Sequence, residues 1–198
     1  FDYQAGLLKR SIAERIPVIF SEEGICIELE VNDTLGAIES YMICEEETGW
    51  KIIGADKAGL VYGIGKFLHT AKWSESNFTP NPPIGVISPA CSFRTIYFSV
   101  HFYNWYQNAS TEELEQYMEE LLLYGYNSVD CIIPIVNLNS FEDQLFFDSV
   151  DKTRKIFKLA KNLGMKVGIT IGSQGLKTTP EEIEGDYSYD LTGTIRGW

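Results

Sequence analysis

The sequence predicts an α/β protein in two parts. Residues 1–83 read as a small N-terminal α+β sandwich, and residues 84–198 as the first three β/α units of a truncated (β/α)8 TIM-type barrel. Three observations carry this reading. Hydrophobic spacing over the first part gives helix, three strands, helix. The polar stretch SESNFTPNPP, Ser74 to Pro83, with its three prolines, then breaks the pattern. Beyond it strand and helix patterns alternate, and strands separated by helices pair in parallel with the helices outside.

In the first part, Leu7, Leu8, Ile12 and Ile16 fall on one face of a helix over residues 3–15. GICIELEV alternates strictly, with Ile25, Ile27, Leu29 and Val31 on one side and Cys26, Glu28 and Glu30 on the other, as a half-buried strand does. ESYMICEEE and WKIIGA are two shorter strands joined by a hairpin-like turn, and the three strands are expected to be antiparallel. DKAGLVYGIGKFLHTAKW is a helix with Asp56 as N-cap and Leu60, Ile64, Phe67 and Leu68 buried. Gly59, Gly63 and Gly65 are costly inside a helix, so their presence predicts a close approach to the sheet.

In the second part, FRTIYFSV is a strand. STEELEQYMEELLLYG is a helix with a capping box from Ser110 to Glu113, an apolar face of Leu114, Tyr117, Met118, Leu121 and Leu122, and Gly125 as its stop. NSVDCIIPIV is a second strand and MKVGITIG a third. Between them FFDSVDKTRKIFKLAKNLG is a helix with Ile156, Leu159, Ala160 and Leu163 inward and Gly164 as its stop. An open doubly wound sheet binding a dinucleotide would place a glycine-rich loop after its first strand, whereas HFYNWYQNAS is bulky and aromatic. The Gly63-Ile64-Gly65 pair lies inside a helix and lacks the phosphate-loop context. A complete small domain with an open sheet is the remaining alternative architecture.

Composition narrows the partners. The net charge is −12, and the 16 Lys and Arg form no basic cluster, so nucleic acid and anionic membrane surfaces are poor partners. No run is long enough to span a membrane, and no signal peptide is present. The chain begins with Phe, so a fragment or processed product is expected, with secreted or periplasmic placement favoured over cytoplasmic. Cys26, Cys44, Cys91 and Cys131 form no metal-binding spacing, and their apolar runs predict buried, inert thiols; a Cys26–Cys44 bridge would require neighbouring strands. Neither a metal site nor a cofactor is indicated. Oligomeric state leaves no signature in the sequence.

Several segments resemble a known architecture. IIGADKAGLVYGIGKFLH, Ile52 to His69, resembles the end of the small α+β domain that precedes the barrel in several glycoside hydrolases. These are the β-N-acetylhexosaminidases of family 20, the α-glucuronidases of family 67 and the α-N-acetylglucosaminidases of family 89. Their pattern is I-x-G-x-D-x-x-G-x-x-Y-G, and Ile52/Ile53, Gly54, Asp56, Gly59, Tyr62 and Gly63 stand in its place here. FRTIYFSVHFYNWY, Phe93 to Tyr106, resembles their Arg-bearing first barrel strand. EELEQYMEELLLYGYNSVDCIIP resembles their first barrel helix leading into strand two, with Asn127 in the place of a structural Asn. The L-D-x-x-R-H-F of the hexosaminidases is missing, and Ser99 sits near where its Asp would stand, so the resemblance implies a glycan substrate without implying the sugar.

In a (β/α)8 barrel, ligands bind at the carboxyl ends of the strands. That rule selects His101, Asn104, Trp105 and Tyr106 after strand one, Asn137 with Asn139 after strand two, and Gln174 with Ser173 after strand three. Uncharged hydrogen-bonding groups beside aromatic rings suit a carbohydrate, whose hydroxyls need partners and whose apolar ring face stacks. Each has a plainer role as well: His101 in a buried hydrogen bond, Asn104 capping a turn, Trp105 covering the rim as core. Arg94 begins strand one. The resemblance makes it a sugar ligand, and its position makes it a bridge between the two parts. Asp130 lies mid-strand, pointing into the barrel or toward its helices, as a functional or a hydrogen-bonded structural group.

Glycoside hydrolysis requires two carboxyl groups, or one plus a substrate acetamido group. No acidic pair sits at a strand carboxyl end; Glu142, Asp143, Asp186 and Asp190 read as loop residues. The resemblance puts the catalytic carboxylates on strand four and beyond, downstream of this chain, so the fragment alone is expected to be inactive. The expected function is the N-terminal fragment of a carbohydrate-active enzyme, a glycoside hydrolase acting on glycans. The alternative is a non-catalytic glycan-binding or scaffold protein on the same barrel.

Overall fold

The structure, a computed structural model, describes residues 2–18, 24–100, 105–132, 142 and 144–170. The described residues form two compact units. One runs through Arg94 and includes Glu119–Tyr126; the other is Thr95–Met118 with the described residues from Asn127 onward.

The first unit begins with helix α1 (Asp2–Ala13), followed by strands β1 (Cys26–Val31), β2 (Tyr41–Glu46) and β3 (Gly49–Gly54) and helix α2 (Lys57–Thr70). A short hairpin, β4 (Lys72–Trp73) and β5 (Phe78–Thr79), and strand β6 (Val86–Ile87) complete it. The sheet order is β1-β3-β2-β6. Here the expectation of three antiparallel strands is corrected: β2 and β3 form an antiparallel hairpin, but β1 pairs with β3 in parallel, from Cys26↔Gly49 to Val31↔Gly54. Alternation fixes which side chains share a face but not which strand is the neighbour. The loop of residues 32–40 is long enough to pass over the end of β3, whereas the two-residue turn at 47–48 forces β2 and β3 together. Gly49 permits the pairing, since a Cβ there would lie 2.0 Å from the Cys26 carbonyl oxygen.

Leu29, Ile52 and Ile43 stand in one cross-strand row. α2 packs on this sheet with Leu60, Ile64, Phe67 and Leu68 buried, each removing side-chain surface worth about 2 kcal/mol. Two of its glycines make the approach: a Cβ on Gly59 would meet the Ser40 carbonyl oxygen at 2.2 Å, and one on Gly63 the Ile52 Cγ2 at 2.8 Å. Gly65 serves a different neighbour, the Leu123 carbonyl oxygen at 1.8 Å from such a Cβ. The Asp56 N-cap forms as expected, its Oδ1 accepting the Gly59 N–H at 2.7 Å. On the other sheet face Lys51 Nζ donates to Glu28 and Glu30 at 2.7 Å each. The stretch read as a boundary loop contains β5, and Phe78 packs its ring against Phe67 and Trp73 at 5.3 and 4.4 Å.

The second unit contains β7 (Thr95–Phe98), the short helix α3 (Trp105–Asn108), α4 (Thr111–Leu123), β8 (Ser128–Ile132), α5 (Gln144–Asn162) and β9 (Lys166–Thr170). The last residues of α4, from Glu119, are grouped with the first unit. The three strands pair in parallel in the order β7-β8-β9. The capping box is present: Ser110 Oγ accepts the Glu113 N–H at 3.1 Å and Glu113 Oε2 accepts the Ser110 N–H at 2.7 Å. Gly125 and Gly164 stop the helices with φ of 89° and 80°, where a side chain is strained.

The cysteine expectation is corrected for two residues: Cys131 is buried, but Cys26 and Cys91 are exposed. Cys26 sits at the first position of an edge strand, and Cys91 lies between two bends with exposed neighbours, so an apolar run does not bury either. Cys26 and Cys44 cannot be bridged without rearrangement, because β3 lies between their strands and two strand spacings are about 10 Å.

Candidate functional site

Parallel pairing brings the carboxyl ends of β7, β8 and β9 to one edge of the sheet. Phe98, Cys131 and Ile169 are register partners, so the chain leaves all three strands at the same level. At about 4.8 Å per strand step, the outer two exits are about 10 Å apart. The predicted contacts His101, Asn104, Asn137 and Gln174, with Asn139, Ser173, Asp143, Asp186 and Asp190, lie outside the described residues.

Trp105 and Tyr106 are described and form α3. Tyr106 stacks on Phe98 with ring centroids 4.6 Å apart, and Trp105 meets Tyr117 of α4 edge-on at 5.2 Å. Phe98 is fully buried, whereas Trp105 stays 44% exposed. α3 therefore anchors one ring in the packing around β7 and leaves the neighbouring ring partly open to solvent. Burial, then the bond with Tyr117, pushes the Tyr106 hydroxyl up to about 12, so it stays neutral across the physiological range.

The two faces of this sheet differ. Ile96, Phe98, Val129 and Cys131 occupy one face and are buried or half-buried, with the exposed Ile169 at its β9 end. The other carries Tyr97, Asp130 and Gly168 in one cross-strand row, with Thr170 beyond. Asp130 thus projects away from the buried row. Its carboxylate accepts the Thr170 hydroxyl, and its Oδ1 would lie 2.9 Å from a Cβ on Gly168. Burial and then the Asp130 charge raise the Tyr97 hydroxyl. Cys131, on the opposite face, is pushed up to about 12 by burial and then by Asp130, so its thiol is inert.

Arg94 is heavily committed. It donates through Nε to the Gly125 carbonyl at 2.5 Å, through one terminal nitrogen to Cys91 O at 2.6 Å, and through the other to Glu39 at 2.8 Å. Its guanidinium also lies over the Tyr62 ring, 5.1 Å from the centroid. The sequence reading had no role for His69 or Tyr124, whose rings stack at 4.0 Å and which line a cavity with Arg94. The available signal was a histidine in the last turn of a glycine-rich helix, with its tyrosine partner far along the chain, just after α4. Among the described residues, no three His, Cys, Asp or Glu side chains cluster as metal ligands, and no helix is long and apolar enough to cross a membrane.

No protein-family model and no curated protein matches the sequence. Solved structures do match it in fold. A family 20 glycoside hydrolase, a β-N-acetylglucosaminidase, aligns with a TM-score of 0.60 at 16% identity, over 96% of this chain and 42% of that one. A chitobiase of Flavobacterium johnsoniae aligns with a TM-score of 0.61 at 16% identity, over 87% of this chain and 29% of that one. A family 138 glycoside hydrolase targeting pectin rhamnogalacturonan II aligns with a TM-score of 0.57 at 14% identity, over 86% and 22% of the respective chains. The chain has the mixed α/β fold of part of these glycoside hydrolases and spans less than half the length of each.

Proposed function

We propose that this chain is the N-terminal part of a carbohydrate-active protein of the glycoside hydrolase kind. In this reading residues 1–83 are an accessory α+β domain, and residues 84–198 begin a (β/α)8 barrel whose strands one to three are β7, β8 and β9. The observation that carries it is the parallel order β7-β8-β9 with its common exit edge. Sugar binding follows from what the chain sets at those exits: His101, Asn104, Trp105 and Tyr106, then Asn137, then Gln174. Neutral donors, acceptors and an exposed indole suit a polyhydroxylated ligand better than a charged one. Arg94 enters as a residue held within the first unit by Gly125 and Glu39, with sugar contact as its secondary role. Catalytic carboxylates belong to later strands in this reading.

Saturation-transfer difference NMR with a panel of neutral mono- and oligosaccharides, including N-acetylglucosamine, tests it. At least one saccharide is expected to receive saturation from the chain and to lose most of it in Trp105→Ala and Asn137→Ala. A panel without any transfer, or transfer unchanged in both variants, contradicts the reading. Release of sugar from a chromogenic glycoside by the chain itself would contradict the assignment of catalysis to later strands.

A further inference from the structure

The first unit holds a cavity of about 390 Å3 that the strand-exit reading does not use. Its size falls within the range of about 300–1,000 Å3 usual for small-molecule sites. Its wall is chemically one-sided. Lys66, His69 and Arg94 line it with Tyr41, Tyr62 and Tyr124, and no Asp or Glu does so among the described residues. In a chain with 28 acidic and 16 basic residues, this reverses the average surface. A cleft walled by one sign of charge concentrates ligands of the other sign.

The three cations differ in availability. Arg94 is held by Glu39, and its charge is largely matched there. Lys66 has an exposed side chain and no ion pair among the described residues. His69 is the informative one. Its Nε2 is buried and has no hydrogen-bond partner among the described residues. Its ring is stacked on Tyr124, with 21° between the planes, so turning toward another partner would break that stack. Burial, then Arg15, just beyond the end of α1, and Lys66 of its own helix hold it below the ordinary imidazole range. Burial without a partner disfavours the charged ring, and a negative charge held nearby would offset that.

We propose that this cavity binds a small organic carboxylate, with its charged end at Lys66 close to the His69 ring and its carbon body along the tyrosine-lined wall. The bound anion offsets the charge of Lys66 and favours the imidazolium, so His69 takes one proton from solvent on binding.

The test uses the chain's own economy of histidine, since His69 and His101 are its two. Ring nitrogens are followed by multiple-bond 1H–15N NMR through a pH titration, with His69→Gln to assign them. The probes are acetate, benzoate, inorganic phosphate and methyl glucoside at constant ionic strength. Acetate and benzoate are expected to raise the His69 midpoint saturably by about one pH unit, and to leave His101 unmoved. Lys66→Gln, at an exposed position, is expected to weaken that effect about tenfold. The proposal is overturned if carboxylates leave His69 unmoved, if phosphate or methyl glucoside moves it equally, or if Lys66→Gln makes no difference. Saccharide binding at the strand exits, present or absent, bears on neither result.

Discussion

The two sheets are built from similar residues and solve the burial problem differently. In the first unit, α2 lies against a mixed sheet through glycines, and Ile52, Leu60, Ile64 and Phe67 reach essentially zero exposure. In the second, Phe98, Val129 and Cys131 are equally buried on one face, while Tyr97 on the other is 41% exposed and Ile169 at the β9 edge 43% exposed. Parallel sheets are ordinarily covered on both faces. The first unit completes its core within the described residues. The second presents a polar row, Tyr97, Asp130 and Thr170, and among the described residues no strand pairs with β9 beyond β8.

The sharpest way to break this comparison is to empty both cores. Phe67→Ala and Phe98→Ala each remove a fully buried ring and should each cost about 3–5 kcal/mol. Urea unfolding followed by fluorescence reads them, with Trp50 and Trp73 reporting on the first unit and Trp105 on the second. A Phe98→Ala cost below about 1 kcal/mol would mean the parallel sheet has no real core.

Overpacking comes next. Gly65→Val pushes a branched side chain into the Leu123 backbone, and a loss of about 3 kcal/mol is expected, read as a lower urea midpoint. Gly85→Ala is the control: its position is open, so the change costs only the strain of a φ of 91°.

Smaller effects separate the caps and the polar row. Asp56→Ala and Ser110→Ala should each cost about 1 kcal/mol, one in each unit, measured by the same unfolding curves. Asp130→Ala removes the acceptor for Thr170 and should cost about 1 kcal/mol. A stabilising effect there would show that the carboxylate is kept for something other than folding.

The smallest effect is in pH. The folded value of His69 lies below its unfolded value, so the unfolded chain binds more protons in acid. Its contribution is fully present above about pH 6.5 and is lost as pH falls through the folded value. His69→Phe should flatten that part of the stability profile, measured by melting between neutral pH and mild acid.

Much of this fold was legible because burial follows period. The apolar positions of α2, α4 and α5 recur at helical spacing, and the Asp56 and Ser110–Glu113 caps announce themselves locally. The parallel sense of β7-β8-β9 followed from the intervening helices. What was not legible depends on neighbours remote in sequence. The pairing of β1 with β3 is decided by loop lengths and by Gly49, and β4, β5 and β6 are two-residue strands too short to show a period. Of the candidate site, position alone singles out Trp105 and Tyr106 as proposed contacts, but their division into an exposed ring and a stacked one depends on Tyr117 and Phe98. The His69–Tyr124 pair joins residues 55 positions apart, beyond the reach of any local pattern.

The most direct test of the central claim is amide chemical-shift mapping of the chain with the saccharide that gives the strongest saturation transfer. Shifts concentrated next to Val100, Ile132 and Thr170, at the exits of β7, β8 and β9, are the predicted result. Shifts concentrated next to Thr95, Ser128 and Lys166, at the opposite edge of the same sheet, or shifts scattered over both units, would contradict it.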